Sequence, residues 1–113
     1  HYLDIILILL RDIPQLKADF FKTLGHPIRI RILEQLVGGE QSVAALLQSI
    51  GTEQSHLSQQ LGILRRAGLV TSRRDGSTVI YAIADDRIEQ ALSIAKSFLL
   101  DLLTSTRDEL KVS

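Results

Sequence analysis

The stretch TEQSHLSQQLGILRRAGLV, Thr52 to Val70, carries two helical faces of very different character. Leu57, Leu61 and Leu64 recur at spacings of four and three, which puts them on one side of a helix and points them into a core. Around them stand Gln54, Ser55, His56, Ser58, Gln59 and Gln60, all able to hydrogen-bond and none permanently charged. A face that meets only solvent usually mixes Glu and Lys four residues apart, and this one does not. Thr52 reads as the N-cap, Glu53 as an acid of the first turn and Gly68 as the stop.

Working upstream, punctuation residues divide the chain clearly. Pro14 suits the first turn of a helix in which Leu16, Phe20, Phe21 and Leu24 keep helical spacing up to Gly25. Pro27 opens the next helix, with Ile28, Ile32, Leu33 and Leu36 inward and Arg29, Arg31 and Glu34 toward water, until Gly38-Gly39. Ser42 is an N-cap for a helix that buries Val43, Leu46, Leu47 and Ile50 and closes at Gly51. Before all of these, LDIILILL (3–10) is too short for a bilayer span of about 20 residues and contains Asp4. It lacks the basic start and cleavage site of a signal peptide. It reads as an apolar helix packed on another element or on a partner subunit. The missing initiator Met gives the expectation that the chain begins inside a longer precursor.

Downstream of Gly68 the period switches to alternation. LVTSRR and STVIYAIA are β-rich runs joined through Asp75-Gly76, a strong hairpin signal. From Asp85 the helical period returns, with Ile88, Leu92, Ala95, Leu99 and Leu102 in one stripe widened by Ala91, Phe98 and Leu103. The fold class is therefore α+β and mostly helical, a single domain over 1–113.

Two helices around a tight turn, followed by a two-stranded hairpin, match the winged helix-turn-helix. Here 42–67 forms the helix pair, 69–84 the wing, and 1–24 with 85–110 the dimerisation helices. The polar face then has a task, since Gln pairs with adenine bidentately while Ser and His reach base edges or phosphates. Arg73 and Arg74 of the wing can neutralise phosphates or enter the minor groove. The formal net charge is +0, unlike a strongly basic nucleic-acid binder. Between residues 54 and 84, however, Arg65, Arg66, Arg73 and Arg74 oppose the single acid Asp75.

The segments FFKTLGHPIRIRILEQL, SVAALLQSIGTEQSHLSQQLGILRRAGLV and RRDGSTVIYAI resemble the ArsR/SmtB family of winged-helix transcriptional regulators. The resemblance implies a cytoplasmic homodimer that represses its operon from an inverted-repeat operator in double-stranded DNA and leaves when an inducer binds. It assigns DNA contacts to Gln54, Ser55, His56, Ser58, Gln59, Arg73 and Arg74. It also implies two metal sites, from which this sequence departs. Ser42 and Ala44 stand where one site keeps a C-x-C pair. At the other, Asp85 and Asp101 match carboxylate positions, but Arg87 and Phe98 occupy those of the histidines. Arg cannot ligate a cation and Phe has no donor atom. No metal sensing through the usual sites is expected, and an unknown small-molecule inducer is left open.

Blander roles fit several residues. His26 in GHP suits a structural place at a helix start, Asp85-Asp86 suit capping, and Tyr2 and Tyr81 suit packing. The zero cysteine count removes disulfides and thiolate sites. No nucleophile elbow, P-loop, dinucleotide fingerprint or HExxH motif is present, so neither an enzyme nor a cofactor is expected. Two alternatives remain: a winged helix that binds a partner protein, and a repressor sensing metal at a non-standard His/carboxylate site.

Overall fold

A computed structural model describes residues 1–112 of the chain. The elements run α1 (Tyr2–Arg11), α2 (Ile13–Leu24), α3 (Pro27–Val37), β1 (Gln41–Ser42), α4 (Val43–Ile50), α5 (Gln54–Arg66), β2 (Val70–Asp75), β3 (Thr78–Ile83) and α6 (Asp86–Val112). This is the winged helix-turn-helix arrangement, with one difference from the two-stranded expectation. The sheet has three antiparallel strands in the order β1-β3-β2. Gln41 and Ser42 pair with Tyr81 and Ile80, so the wing is anchored along β3 to the start of α4.

Caps explain the helix boundaries. His26 is extended at φ −138° and its Nδ1 accepts the Ile28 N–H at 3.2 Å, which makes it the N-cap of α3. Ser42 Oγ accepts the Ala45 N–H at 3.1 Å at the head of α4. Removing that acceptor leaves an unpaired donor, so Ser42→Ala is expected to cost about 1 kcal/mol in urea unfolding, and Ser42→Asn to restore most of it. Gly51 ends α4 in the left-handed region at φ 72°, where its N–H reaches the Leu47 carbonyl. Arg31 donates to the Ile50 carbonyl at 2.9 Å and satisfies another end group of α4. The α5 cap departs from expectation. Glu53, rather than Thr52, holds the N-cap position, and no side chain bonds there.

The core is a contiguous apolar cluster. Ile32 and Leu33 of α3, Leu46 of α4, and Leu57, Leu61 and Leu64 of α5 are essentially inaccessible, with Leu69, Val70 and Ile88 beside them. Tyr81 and Ile83 close the cluster from the sheet. The outer helices contribute little to it. No residue of α1 is buried within one chain, so the expected packing of this helix is not supplied by its own chain, and Tyr2 is exposed rather than packed. Beyond Leu92, α6 projects with Ile94, Phe98, Leu99 and Leu103 uncovered. No helix among the described residues is long and apolar enough to cross a membrane.

Candidate nucleic-acid interface

On α5, four polar side chains form one open surface. Gln54, Ser55, Ser58 and Gln59 are all exposed, and their spacing of one, three and one residues keeps them on adjoining rows of a single helical face. Gly62 continues that face. A Cβ there would stand 3.2 Å from Arg66 Nη1, so the glycine lets the Arg66 guanidinium lie back along the helix. Gln54 and Ser58 also line a groove shared with Val43 and Ala44 of α4 and Val79 of β3.

The remaining polar residues of α5 part from this surface. His56 is half-buried, its ring centroid 6.3 Å from that of His26. Gln60 is not part of the open face at all. It is 4% exposed, and its Oε1 accepts the Arg29 Nε–H at 2.7 Å. Arg29, expected to reach water, instead sits half-buried, with a second nitrogen donating to the Thr23 carbonyl at 3.2 Å. A signal for this was present. Gln60 falls at the third position after Leu57 and the fourth before Leu64, inside the apolar stripe.

The wing separates its two arginines. Residues alternate faces along a strand, so Val70, Ser72 and Arg74 share one side of β2 while Thr71 and Arg73 share the other. Val70 is a core residue and Ser72 Oγ accepts from Arg65 of α5 at 3.3 Å. Arg74 therefore lies on the α5 side of the sheet. Arg73 crosses the opposite face to Glu40, which accepts from Nη2 at 2.7 Å and from Nε at 3.4 Å. That guanidinium holds the Glu40 carboxyl below the usual carboxylate range. The strands meet through Gly76-Ser77, one residue later than the Asp75-Gly76 signal. Gly76 adopts φ 63°, and among the described residues no non-glycine has positive φ, which suits a loop with glycine at its first central position.

At the head of α6, Asp85 Oδ1 accepts the Arg87 backbone N–H at 2.8 Å. The Arg87 side chain closes on the same carboxylate, Nε to Oδ1 at 3.0 Å and Nη2 to Oδ2 at 2.8 Å. The guanidinium hydrogen bonds, then the backbone one, lower the Asp85 carboxyl from 3.8 to about 2. A depressed acid contributes stability above its unfolded pKa and loses it as pH falls toward the folded one. Asp85→Asn is therefore expected to flatten the loss of stability between about pH 4 and pH 2, read by urea titrations across that range. Equal acid sensitivity in both proteins would count against the pair. Among the described residues no three His, Cys, Asp or Glu side chains gather as a metal cluster.

The family model described as a helix-turn-helix domain matches residues 24–73, which span α3, α4, α5 and most of β2. The uncharacterized HTH-type transcriptional regulator Rv0081 of Mycobacterium tuberculosis is 56% identical over 91 residues, 80% of each chain. The crystal structure of M. tuberculosis Rv0081 superposes with a TM-score of 0.78 at 53% identity, covering 82% of this chain and 94% of that one. The biofilm growth-associated repressor of Xylella fastidiosa is 42% identical over 76 residues, 67% of each chain. The homodimeric winged helix-turn-helix DNA-binding domain of Mb0332 from Mycobacterium bovis, a possible ArsR-family regulator, superposes at 0.75 with 27% identity, covering 82% of this chain and 86% of that one. With a turn-linked helix pair, a wing beside it and relatives of this identity, the chain belongs to the ArsR/SmtB-like family of winged helix-turn-helix transcriptional regulators, sequence-specific DNA-binding proteins rather than enzymes.

Proposed function

We propose that the chain acts as a homodimeric repressor on an inverted-repeat operator. In this reading Gln54, Ser55, Ser58 and Gln59 meet base edges, His56 contributes from the flank, and Arg73 and Arg74 serve the phosphates or minor groove beside the wing. The observation that carries it is the exposed, uncharged donor/acceptor face of α5, whose chemistry matches base edges. Dimerisation is supported by the apolar surface that a single chain leaves open on α6, where Ile94 is 70% and Phe98 64% exposed, and by the homodimeric relative from M. bovis. A cytoplasmic setting fits a regulator that must meet DNA.

Release by a small organic inducer fits better than release by metal. Both oxygens of Asp85 already accept from Arg87, so a fixed internal cation stands where a ligating carboxylate would need to be free.

The two wing arginines give the test. The Arg74 side chain has no hydrogen bond or ion pair among the described residues and lies on the α5 side, whereas Arg73 is bound to Glu40. In anisotropy titrations against duplex DNA, Arg74→Ala is expected to lower the slope of log K against log salt by about 1.8, two phosphates per dimer. Arg73→Ala is expected to change it less. Affinity independent of salt, or an Arg74→Ala slope equal to that of the parent protein, contradicts the reading.

A further inference from the structure

A polar seam runs from the flank of α5's open face, at His56, to its buried back, at Gln60. His56 and Gln60 are four residues apart and so lie one turn above the other. They meet His26 and Arg29 at the start of α3. His26 is itself fixed by the Ile28 N–H that it accepts, and Arg29 is fixed by the Thr23 carbonyl near the end of α2. Elsewhere α5 is held by Leu57, Leu61 and Leu64 and, near its C-terminal end, by the longer 3.3 Å bond that Arg65 donates to Ser72 on the exposed wing. Apolar contact is non-directional and tolerates small rotations of a helix about its axis. A hydrogen bond of 2.7 Å to a planar guanidinium does not.

We infer that the Arg29–Gln60 bond is a specificity-determining contact: it sets the rotation of α5 and thus which bases its open face discriminates, although neither side chain belongs to that face. The inference rests on the reading of α5 as the base-reading helix. The magnitude is sufficient. With side chains, a helix is roughly 5–6 Å in radius, so a rotation of about 20° carries a side-chain tip about 2 Å. That exceeds the range over which a hydrogen bond to a base edge survives. Gln60 is also the one buried polar side chain among the described core residues. A hydrophobic residue would fill this position in the stripe without any directional partner, so the bond to Arg29 adds orientation that packing alone lacks.

The test compares the parent protein with Arg29→Met/Gln60→Leu, which removes both partners together and leaves no unpaired guanidinium. Each is put through selection from a random double-stranded DNA library. Affinities for the parent's selected motif and for a scrambled duplex are then measured, with thermal unfolding as a check on folding. The double variant is expected to keep its fold, its affinity for scrambled DNA and its salt slope. Its preference for the selected motif is expected to fall by about tenfold or more. An unchanged preference overturns the inference. Failure of the parent protein to enrich any motif overturns the underlying reading of α5 instead, so the two failures are distinct. If the double variant does not fold, Arg29→Lys, which keeps the charge but not the fork reaching both Gln60 and Thr23, is expected to lose preference likewise. Unchanged discrimination in folded Arg29→Lys also overturns the inference.

Discussion

Leu61→Ala is expected to destabilise the protein by about 2–5 kcal/mol, more than any substitution on the open face of α5. Leu61 is 1% exposed and packs with Leu57 and Leu64 of its own helix in the cluster built by Ile32, Leu33 and Leu46. Truncation removes the burial of three carbons and leaves a cavity that surrounding helices can only partly fill. A domain of this size has roughly 5–15 kcal/mol in total, so the loss is a large share and lowers the melting temperature by roughly 10 °C or more. Urea unfolding at one fixed protein concentration is the appropriate measurement, because a dimer's apparent stability depends on concentration. A loss below about 1 kcal/mol would contradict the packing of α5 on the core.

The second large effect falls on recognition and leaves stability alone. Gln54→Ala/Gln59→Ala removes two exposed amides, each able to pair bidentately with a base at about 1–3 kcal/mol of discrimination. Preference for the selected motif over scrambled DNA is expected to drop by about 30-fold or more. The salt slope is expected to stay the same, because no phosphate-binding charge is lost. Unfolding is also expected to be unchanged within about 0.5 kcal/mol, since both side chains face solvent. This pattern separates base reading from the Arg74 effect, which acts on the slope and on all sequences alike. Retained preference in the double variant would remove α5 from the reading surface.

Much of the fold was legible because burial repeats with the period of each element. Leu57, Leu61 and Leu64 announced the buried side of α5, and the switch to alternation after Gly68 announced the wing. Ser42 and His26 were legible as helix starts, and both cap as the local chemistry requires. What escaped was set by distant partners. β1 is two residues long, too short for any period, and exists because Tyr81 and Ile80 offer it an edge. Gln60's place inside the apolar stripe was legible from its spacing to Leu57 and Leu64, but its partner Arg29, 31 residues away, was not. The wing arginines looked equivalent in sequence, yet strand alternation alone places them on opposite faces, and Glu40 claims only one. The Asp85–Arg87 closure is local, and the capping reading located its carboxylate, but the bidentate fork depended on a side-chain geometry that spacing does not specify.

The most direct measurement is a crystal structure of the chain bound to its selected inverted repeat. The expected result is two copies related by a twofold axis, each α5 in a major groove of the duplex. Gln54, Ser55, Ser58 and Gln59 should then lie within hydrogen-bond distance of base edges, and Arg74 beside a phosphate or in the minor groove. A complex in which α5 stays outside the major groove, with those four side chains still facing solvent, would contradict the account.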